Sequence, residues 1–298
     1  EEDVLEAWGK NPFIVLKQKY ISAYRINWNN KADNIKELSE ELNIGLDSFV
    51  FVDDNPTERE LIRQMLPMVE VPEFPEQPYE LPEFFRQLVD KYFRIYSITE
   101  EDKKKTEQYQ ANAKRSNEKK KFTDIGEYIK SLDIKVEIQK ANEFNIPRIA
   151  QMSQKTNQFN LTTKRYTDAD IKSFLEKGYD IYCISVSDKF GDNGITGEII
   201  IREEGKLAEV DTLLLSCRIL GKGIEEAFIK TILDILKEKD IEEVKAKYIP
   251  TIKNSQVKDF YEKVGFEKEQ EEDGIKNYII SLKDKEFDIK PYYKIELQ

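Results

Sequence analysis

The sequence predicts a chain of two units built from mixed strands and helices, and three observations predict it. Its 298 residues suit about two domains of roughly 150 residues, each large enough for a core. With 39% hydrophobic, 35% charged and 11% aromatic residues, it can pack an interior and keep a solvated surface. Apolar runs of strand length alternate with helix-periodic stretches, which is the grammar of α/β and α+β architectures.

Up to about residue 71, Ala32, Ile35, Leu38 and Leu42 mark one helix face. Phe49, Val50, Phe51 and Val52 follow as an apolar run expected to be a buried strand, and Leu61, Ile62 and Met65 mark the next helix. Pro72, Pro75, Pro78 and Pro82 then impose an extended path, because each removes a donor and biases its predecessor away from α. The first unit is placed at residues 1–95. A charged stretch, residues 96–133, follows. Thr99, Glu100, Glu101 and Asp102 open it as a helix start, so an exposed connecting helix is expected, with a disordered linker as the alternative.

The second unit, residues 134–298, has a regular order. Strands are expected at 134–138 and 181–186, a turn at Gly191-Asp192-Asn193-Gly194, and strands at 195–202 and 207–215. A helix at 223–237, a strand at 243–248, a helix at 255–264 and two final strands complete the chain. No repeat or low-complexity tract is visible.

Composition excludes several functions. Lys plus Arg is 47 against 58 for Asp plus Glu, and the net charge of −11 repels phosphate backbones, so nucleic acid is not expected as a partner. The absence of histidine removes imidazole-based triads, His-ligated zinc and a histidine pH switch. Acids and bases must come from Asp, Glu, Tyr, Lys, Cys or water. Two cysteines, Cys183 and Cys217, are too few for a disulfide framework, which points to a reducing compartment and a cytoplasmic location. No apolar run spans a bilayer, and the opening Glu1-Glu2-Asp3 is acidic where a signal peptide is basic, so no membrane association is expected.

Arg218-Ile219-Leu220-Gly221-Lys222-Gly223 joins a hydrophobic strand to a helix whose apolar face is Ile224, Ala227, Phe228, Thr231, Ile232 and Ile235. Outward-pointing N–H groups, glycines and two cations make such a junction a candidate cradle for a pyrophosphate or a phosphopantetheine arm. An ordinary strand-to-helix turn is the alternative. A second element, from Asn254 through Phe260, Tyr261 and Glu262 to Gly265 and Phe266, comes after the next strand. Together the two elements resemble motifs A and B of the GNAT-type acyltransferase fold across residues 134–282. The resemblance implies a mixed, mostly antiparallel sheet, a CoA or phosphopantetheine arm bound at Arg218, Gly221, Lys222, Gly223 and Asn254, and Tyr261 protonating the departing thiolate. A phenol of pKa about 10 suits that role, although an aromatic on a packing helix explains Tyr261 as well.

In the first unit, Lys31 opens a helix and Asp53-Asp54 closes the apolar run, where open α/β sheets place ligands. Two adjacent carboxylates and a lysine could hold Mg²⁺ and a phosphorylated group, or simply cap a helix and a solvated turn. Residues 31–66 resemble motifs III and IV of the haloacid dehalogenase (HAD) phosphatases, which implies a partial HAD-like Rossmannoid unit with Asp53 or Asp54 on magnesium and Lys31 at the phosphate. That superfamily's nucleophilic D-x-D-x-[TV] motif is missing. Asp168-Ala169-Asp170 has the spacing but follows Arg165-Tyr166-Thr167 with no apolar strand before it. The chain is expected to begin midway through the HAD domain, to expose sheet edges that invite pairing, and to lack phosphatase activity by itself.

Four stretches are more specific: SFVFVDDNPTERELIR at 48–63, QKTNQFNLTTKRY at 154–166, Arg25-Ile26-Asn27-Trp28, and Ser216-Cys217-Arg218-Ile219-Leu220-Gly221. They resemble the FkbH-like proteins of HAD subfamily IIIC. The resemblance implies that the full-length parent takes a glyceryl group from a phosphorylated three-carbon donor, 1,3-bisphosphoglycerate. It would remove the phosphate and deliver a glyceryl thioester to an acyl carrier protein for polyketide-type assembly. Cys217 is then the expected acyl-carrying thiol, its pKa lowered by a helix N-terminus, Arg218 and Lys222; a small apolar filler is the alternative. Cys183 is expected in the core. Asn157, Gln158 and Asn160 could bind the glyceryl hydroxyls or pantetheine amides, or make turn and capping bonds. Two other functions stay open: a CoA-dependent N-acetyltransferase with Glu209 or Asp211 as base, and a non-catalytic carrier-binding module.

Overall fold

In the computed structural model, residues 2–94 and 104–298 are described, and the chain divides into two units, 1–121 and 122–298. The first begins with helix α1 (Glu2–Lys10). Helix α2 (Lys31–Leu42) starts where the Asn30 side chain accepts the Ala32 N–H and stops at Asn43, which takes a left-handed φ of 54°. Helix α3 (Pro56–Met65) is capped by Asn55, with Pro56 in the first turn, where a missing N–H costs nothing. Ala32, Ile35, Ile62, Leu66 and Val69 form the core between them, while Met65 is exposed. Helix α4 (Leu81–Tyr92) follows the proline-rich stretch.

Two expectations for this unit are revised. The run Phe49 to Val52 is half-buried, and it makes an isolated parallel bridge, Val50 to Glu70, instead of a ladder. The Phe51 N–H donates to the Glu70 carbonyl at 2.8 Å and the Glu70 N–H to that of Phe49 at 3.1 Å. The polar stretch assigned to a linker is divided. Helix α5 (Lys105–Lys119) packs on α2 and buries Gln108, Ala111, Asn112 and Arg115. Amide and guanidinium groups hold it: Asn112 Nδ2 donates to the Leu42 carbonyl at 3.3 Å, Arg115 to Asn112 Oδ1 at 2.7 Å, and Gln110 to the Ile21 carbonyl at 2.9 Å. A face satisfied by hydrogen bonds gives no apolar stripe to read. The helix start expected at Thr99 lies outside the described residues. Residues 122–133 belong to the second unit, where α6 (Ile125–Ser131) sends Tyr128 and Ile129 into the core.

The second unit is built on one sheet. In chain order it contains β1 (Lys135–Lys140), α7 (Ile146–Lys155), β2 (Phe159–Asn160), α8 (Asp168–Glu176), β3 (Asp180–Asp188), β4 (Gly191–Glu204) and β5 (Leu207–Leu215). Then follow α9 (Ile224–Glu238), β6 (Glu243–Tyr248), α10 (Phe260–Val264), β7 (Glu267–Glu272), β8 (Ile275–Ser281) and β9 (Lys294–Leu297). The spatial order is β7-β8-β6-β5-β4-β3-β1-β9, with β2 beside β5. Neighbours are antiparallel except β1 with β9 and β5 with β6. One face packs on α9 through Phe228, Ile229 and Ile232; the other packs on α7 and α8 through Ile149, Ala150 and Ile171.

Three details depart from expectation. The β3–β4 turn is at Lys189 and Phe190, because Asp188 pairs with Gly191 and its side chain accepts the Phe190 N–H at 3.0 Å. The stretch expected as one helix is a 3₁₀ turn, Ser255–Val257, followed by α10, which ends at Gly265 with φ of 103°. Strand β9 was not expected. It pairs with the outer edge of β1 and covers it.

Strands β5 and β6 pair only from Leu207 to Glu209 against Glu243 to Lys245. Beyond that they diverge, and the β4–β5 register shifts after Ile200 so that Asp211 is the extra residue of a bulge. That gap and that bulge position the site described next.

One buried polar group interrupts the sheet. Glu198 on β4 is 0% exposed, lies between Cys183 and Leu214, and has no hydrogen-bond partner on either carboxylate oxygen. Burial holds its pKa well above the ordinary value, against a weaker opposite pull from Arg148. The folded protein therefore binds this proton more tightly than the unfolded chain. The contribution is intact below the ordinary carboxylate range and is lost as pH rises toward the folded pKa. Glu198→Gln is expected to raise Tm at neutral pH and to flatten the decline of Tm above pH ~5, as read by thermal unfolding across a pH series.

Candidate active site at the end of β5

Strand β5 runs into a 3₁₀ turn, Cys217–Ile219, where the Ser216 side chain accepts the Arg218 N–H. Ile219 and Ile224 are fully buried and pin the loop at both ends. Between them Gly221 and Gly223 take φ of 73° and 75°, a conformation that excludes most side chains. Gly223 is constrained twice, since a Cβ there would lie 2.6 Å from the Tyr293 hydroxyl. That hydroxyl donates to the Lys222 carbonyl, so the C-terminal segment closes over the loop.

The loop therefore has the glycines and cations expected of an anion cradle, Arg218, Gly221, Lys222 and Gly223, but its charge balance differs. The Gly221 N–H donates to Glu225 Oε1 at 3.2 Å. Burial raises the Glu225 pKa, with its own and the Gly221 N–H groups opposing, and its second oxygen has no hydrogen-bond partner. A carboxylate of this chain thus occupies a donor that a phosphate would use.

Cys217 is partly exposed and forms no disulfide. Its pKa is raised, contrary to the expected depression. Burial is the main cause, and the nearby Arg218 charge only partly offsets it. The α-helix proper begins at Ile224, beyond the short reach of a helix terminus. Cys183 is sealed in the sheet with its thiol pushed up to about 12 by burial, as a core residue should be.

The residues expected to bind substrate or cofactor divide. Asn157 accepts a hydrogen bond from Arg165 at 2.5 Å, and Gln158 is partly exposed beside it. Phe159 then pairs with Leu215, two residues before Cys217, so this stretch does reach the thiol's end of the sheet. Asn160 turns inward: its side chain donates to the Thr156 carbonyl at 3.2 Å and accepts the Thr163 N–H at 2.8 Å. Asn254, expected at the cofactor, is likewise fully buried. Its Nδ2 donates to the carbonyls of Asn160 and Ile249, both at 2.9 Å, while Oδ1 accepts from Thr251 N–H at 2.7 Å and Tyr248 at 3.2 Å. These asparagines tie the chain to itself. Tyr261 is 1% exposed among Phe260, Phe266 and Tyr278, with no hydrogen-bond partner for its hydroxyl and a pKa raised by burial. The geometry gives it the packing role in place of the proton donor's.

Of the alternative bases, Glu209 is partly exposed and pairs with Arg202 at 2.9 Å. Asp211, at the bulge, bonds Lys164 at 2.5 Å, the Tyr166 hydroxyl at 2.6 Å and Thr212 Oγ1 at 3.0 Å. Burial first, and then the Asp211 carboxylate, raise the Tyr166 pKa. Sequence reasoning did not single out Tyr166 or Lys164, although both lie in the 154–166 stretch. Asp170 forms a capping box with Thr167 at the start of α8, and Asp168 lies in the same first turn.

In the first unit, Lys31 Nζ and Asp53 Oδ2 meet at 2.6 Å. Asp53 Oδ1 accepts the Asn55 N–H at 2.9 Å, and Arg59 donates to the carbonyls of Asp53 and Asp54 at 2.9 Å each. Asp54 is exposed. Both Asp53 oxygens are thus engaged, and no group of three or more metal-ligating side chains occurs among the described residues. The residues present do not fit a Mg²⁺ site.

The strand order, the helices on both faces and the gap between β5 and β6 give the second unit a GNAT acyltransferase fold. No family model matches the chain, and no curated protein matches it. Among solved structures, the ribosomal-protein-S18-alanine N-acetyltransferase of Escherichia coli is 11% identical, over 49% of this chain and 94% of that one, with a TM-score of 0.39. A spermidine N-acetyltransferase chimera derived from Vibrio cholerae is 14% identical, over 49% and 96%, with a TM-score of 0.38. The N-terminal part of protein BF1531 from Bacteroides fragilis, which contains a phosphatase domain complexed with Mg, is 45% identical over 31% of this chain and 24% of that one, with a TM-score of 0.29. No helix among the described residues is long and apolar enough to cross a membrane.

Asn254→Ala strands the Asn160 and Ile249 carbonyls and the Thr251 N–H. Urea unfolding is expected to show a loss of about 2–4 kcal/mol with an unchanged m-value.

Proposed function

We propose that the second unit is an acyltransferase that passes an acyl group between thiols through Cys217, the finer reading being glyceryl transfer to the phosphopantetheine thiol of an acyl carrier protein. The observation that carries this is the contrast between the cysteines: Cys217 is partly exposed at the end of β5 beside Arg218, whereas Cys183 is sealed. Cys217 loses its proton, its sulfur attacks the thioester carbonyl, and the incoming carbon–sulfur bond replaces the one to the donor thiol, which leaves with the proton. The reverse exchange loads the acceptor. Asn157 and Gln158, at the same end of the sheet, are the amides available to an acyl group's hydroxyls. Asp211 is a weaker candidate for an amine's base because Lys164 and Tyr166 already engage its oxygens. Coupled dephosphorylation would need groups beyond the Lys31–Asp53 ion pair present here.

The test is intact mass after exposure to a glyceryl thioester on a holo carrier protein, with acetyl-CoA as control donor. A glyceryl adduct that disappears in Cys217→Ala is expected. Because burial raises the thiol above its ordinary pKa of 9.0, the acylation rate should still be climbing at pH 9 instead of levelling near neutrality. No adduct from a folded chain with either donor would overturn the proposal.

A further inference from the structure

An acyl-carrying pantetheine arm laid along β5 needs the open backbone edge that faces β6. In this chain that edge is taken. Phe159 and Asn160 pair with Leu215 and Leu214, the Leu161 N–H donates to the Leu213 carbonyl at 3.1 Å, and Thr162 Oγ1 donates to the Asp211 carbonyl at 3.1 Å. On the opposite side the Ile249 N–H donates to the Leu161 carbonyl at 2.8 Å, and Asn254 Nδ2 to the Asn160 carbonyl at 2.9 Å. Residues 159–162 thus lie as a short strand bonded to both walls of the gap.

Nothing about the segment resembles a removable cover. Phe159 and Leu161 are both in the main core, and the Phe159 ring meets Phe260 edge-on at 4.9 Å. Withdrawing the strand would return both side chains to water and strip polar groups of their partners. The phosphate end of such an arm fares little better, with the Gly221 N–H bonded to Glu225 and Glu226 next in the first turn of α9. The residues present therefore do not fit a CoA arm in the gap.

We infer that residues 159–162 permanently replace the pantetheine arm in the gap between β5 and β6, so that acyl donors reach Cys217 from the surface without being threaded through the fold. The surface route rests on the proposed role of Cys217; the filled gap does not. Segment 157–161 then has a double use: Phe159 and Leu161 close the core, while Asn157, steadied by Arg165, and Gln158 emerge at the thiol's end of the sheet.

The test has two independent arms on the intact chain. In the first, CoA is titrated into the protein by calorimetry to millimolar concentration while hydrogen exchange is followed at the amides of 159–162. No saturable binding and unchanged protection are expected; saturable CoA binding, with or without loss of that protection, overturns the inference. In the second, adduct formation at Cys217 is timed with an acyl-CoA and with the same acyl group on N-acetylcysteamine. Rates within about tenfold of each other are expected, because a donor segment that makes no contact supplies no binding energy. A preference for acyl-CoA well beyond that overturns the surface route. Failure of both donors to form an adduct would sink the role of Cys217 and leave the CoA titration to decide the filled gap.

Discussion

The hydrogen bonds of Asn254 are what the second unit's centre depends on. Two strands that part company after three paired residues would leave two rows of unpaired backbone groups in the interior. The gap is filled by residues 159–162, and the buried Asn254 side chain links that segment to the loop after β6 with all of its polar atoms in use. Because Leu161 is bonded to both walls, the position of Asn157 and Gln158 relative to Cys217 follows from the same contacts. A sheet that would otherwise split is thereby made continuous, and the candidate site becomes a surface feature at its end.

Desolvation outweighs nearby charge at Cys217, Glu225 and Glu198. Cys217 has Arg218 beside it and still titrates above its ordinary value, Glu225 keeps a raised pKa while accepting a backbone N–H, and Glu198 does so with Arg148 in range. The common cause is that ionising a group inside a packed sheet or helix junction costs more than a single neighbouring charge returns. Burial of this kind leaves a thiol largely protonated at neutral pH.

Much of the second unit was legible beforehand. Strands 207–215 and 243–248 are bounded as the apolar patterning predicts, because both carry alternating or continuous buried residues that fit only an interior strand. Apolar periodicity also located α9 to within one residue at each end. Helix α5 was expected as an exposed connecting helix since its packed face is made of Gln108, Asn112 and Arg115, which look like solvent-facing residues until their partners are known. The β2 segment was read as a set of possible ligand-binding amides because a two-residue strand has no period.

The amino-acid sequence by itself determined most of the second unit's element order and the exclusion of imidazole chemistry, which follow from short-range periodicity and composition. The GNAT-like arrangement and the choice of Cys217 over Cys183 as the candidate thiol came from motifs that resemble known families. Tertiary structure decided that Asn160, Asn254 and Tyr261 serve the fold and that the Cys217 pKa is raised. It also decided that the gap beside β5 is filled from within. Each of these depends on which groups meet across tens of residues and on how much water they lose in doing so, and neither quantity is written in the local pattern of a chain.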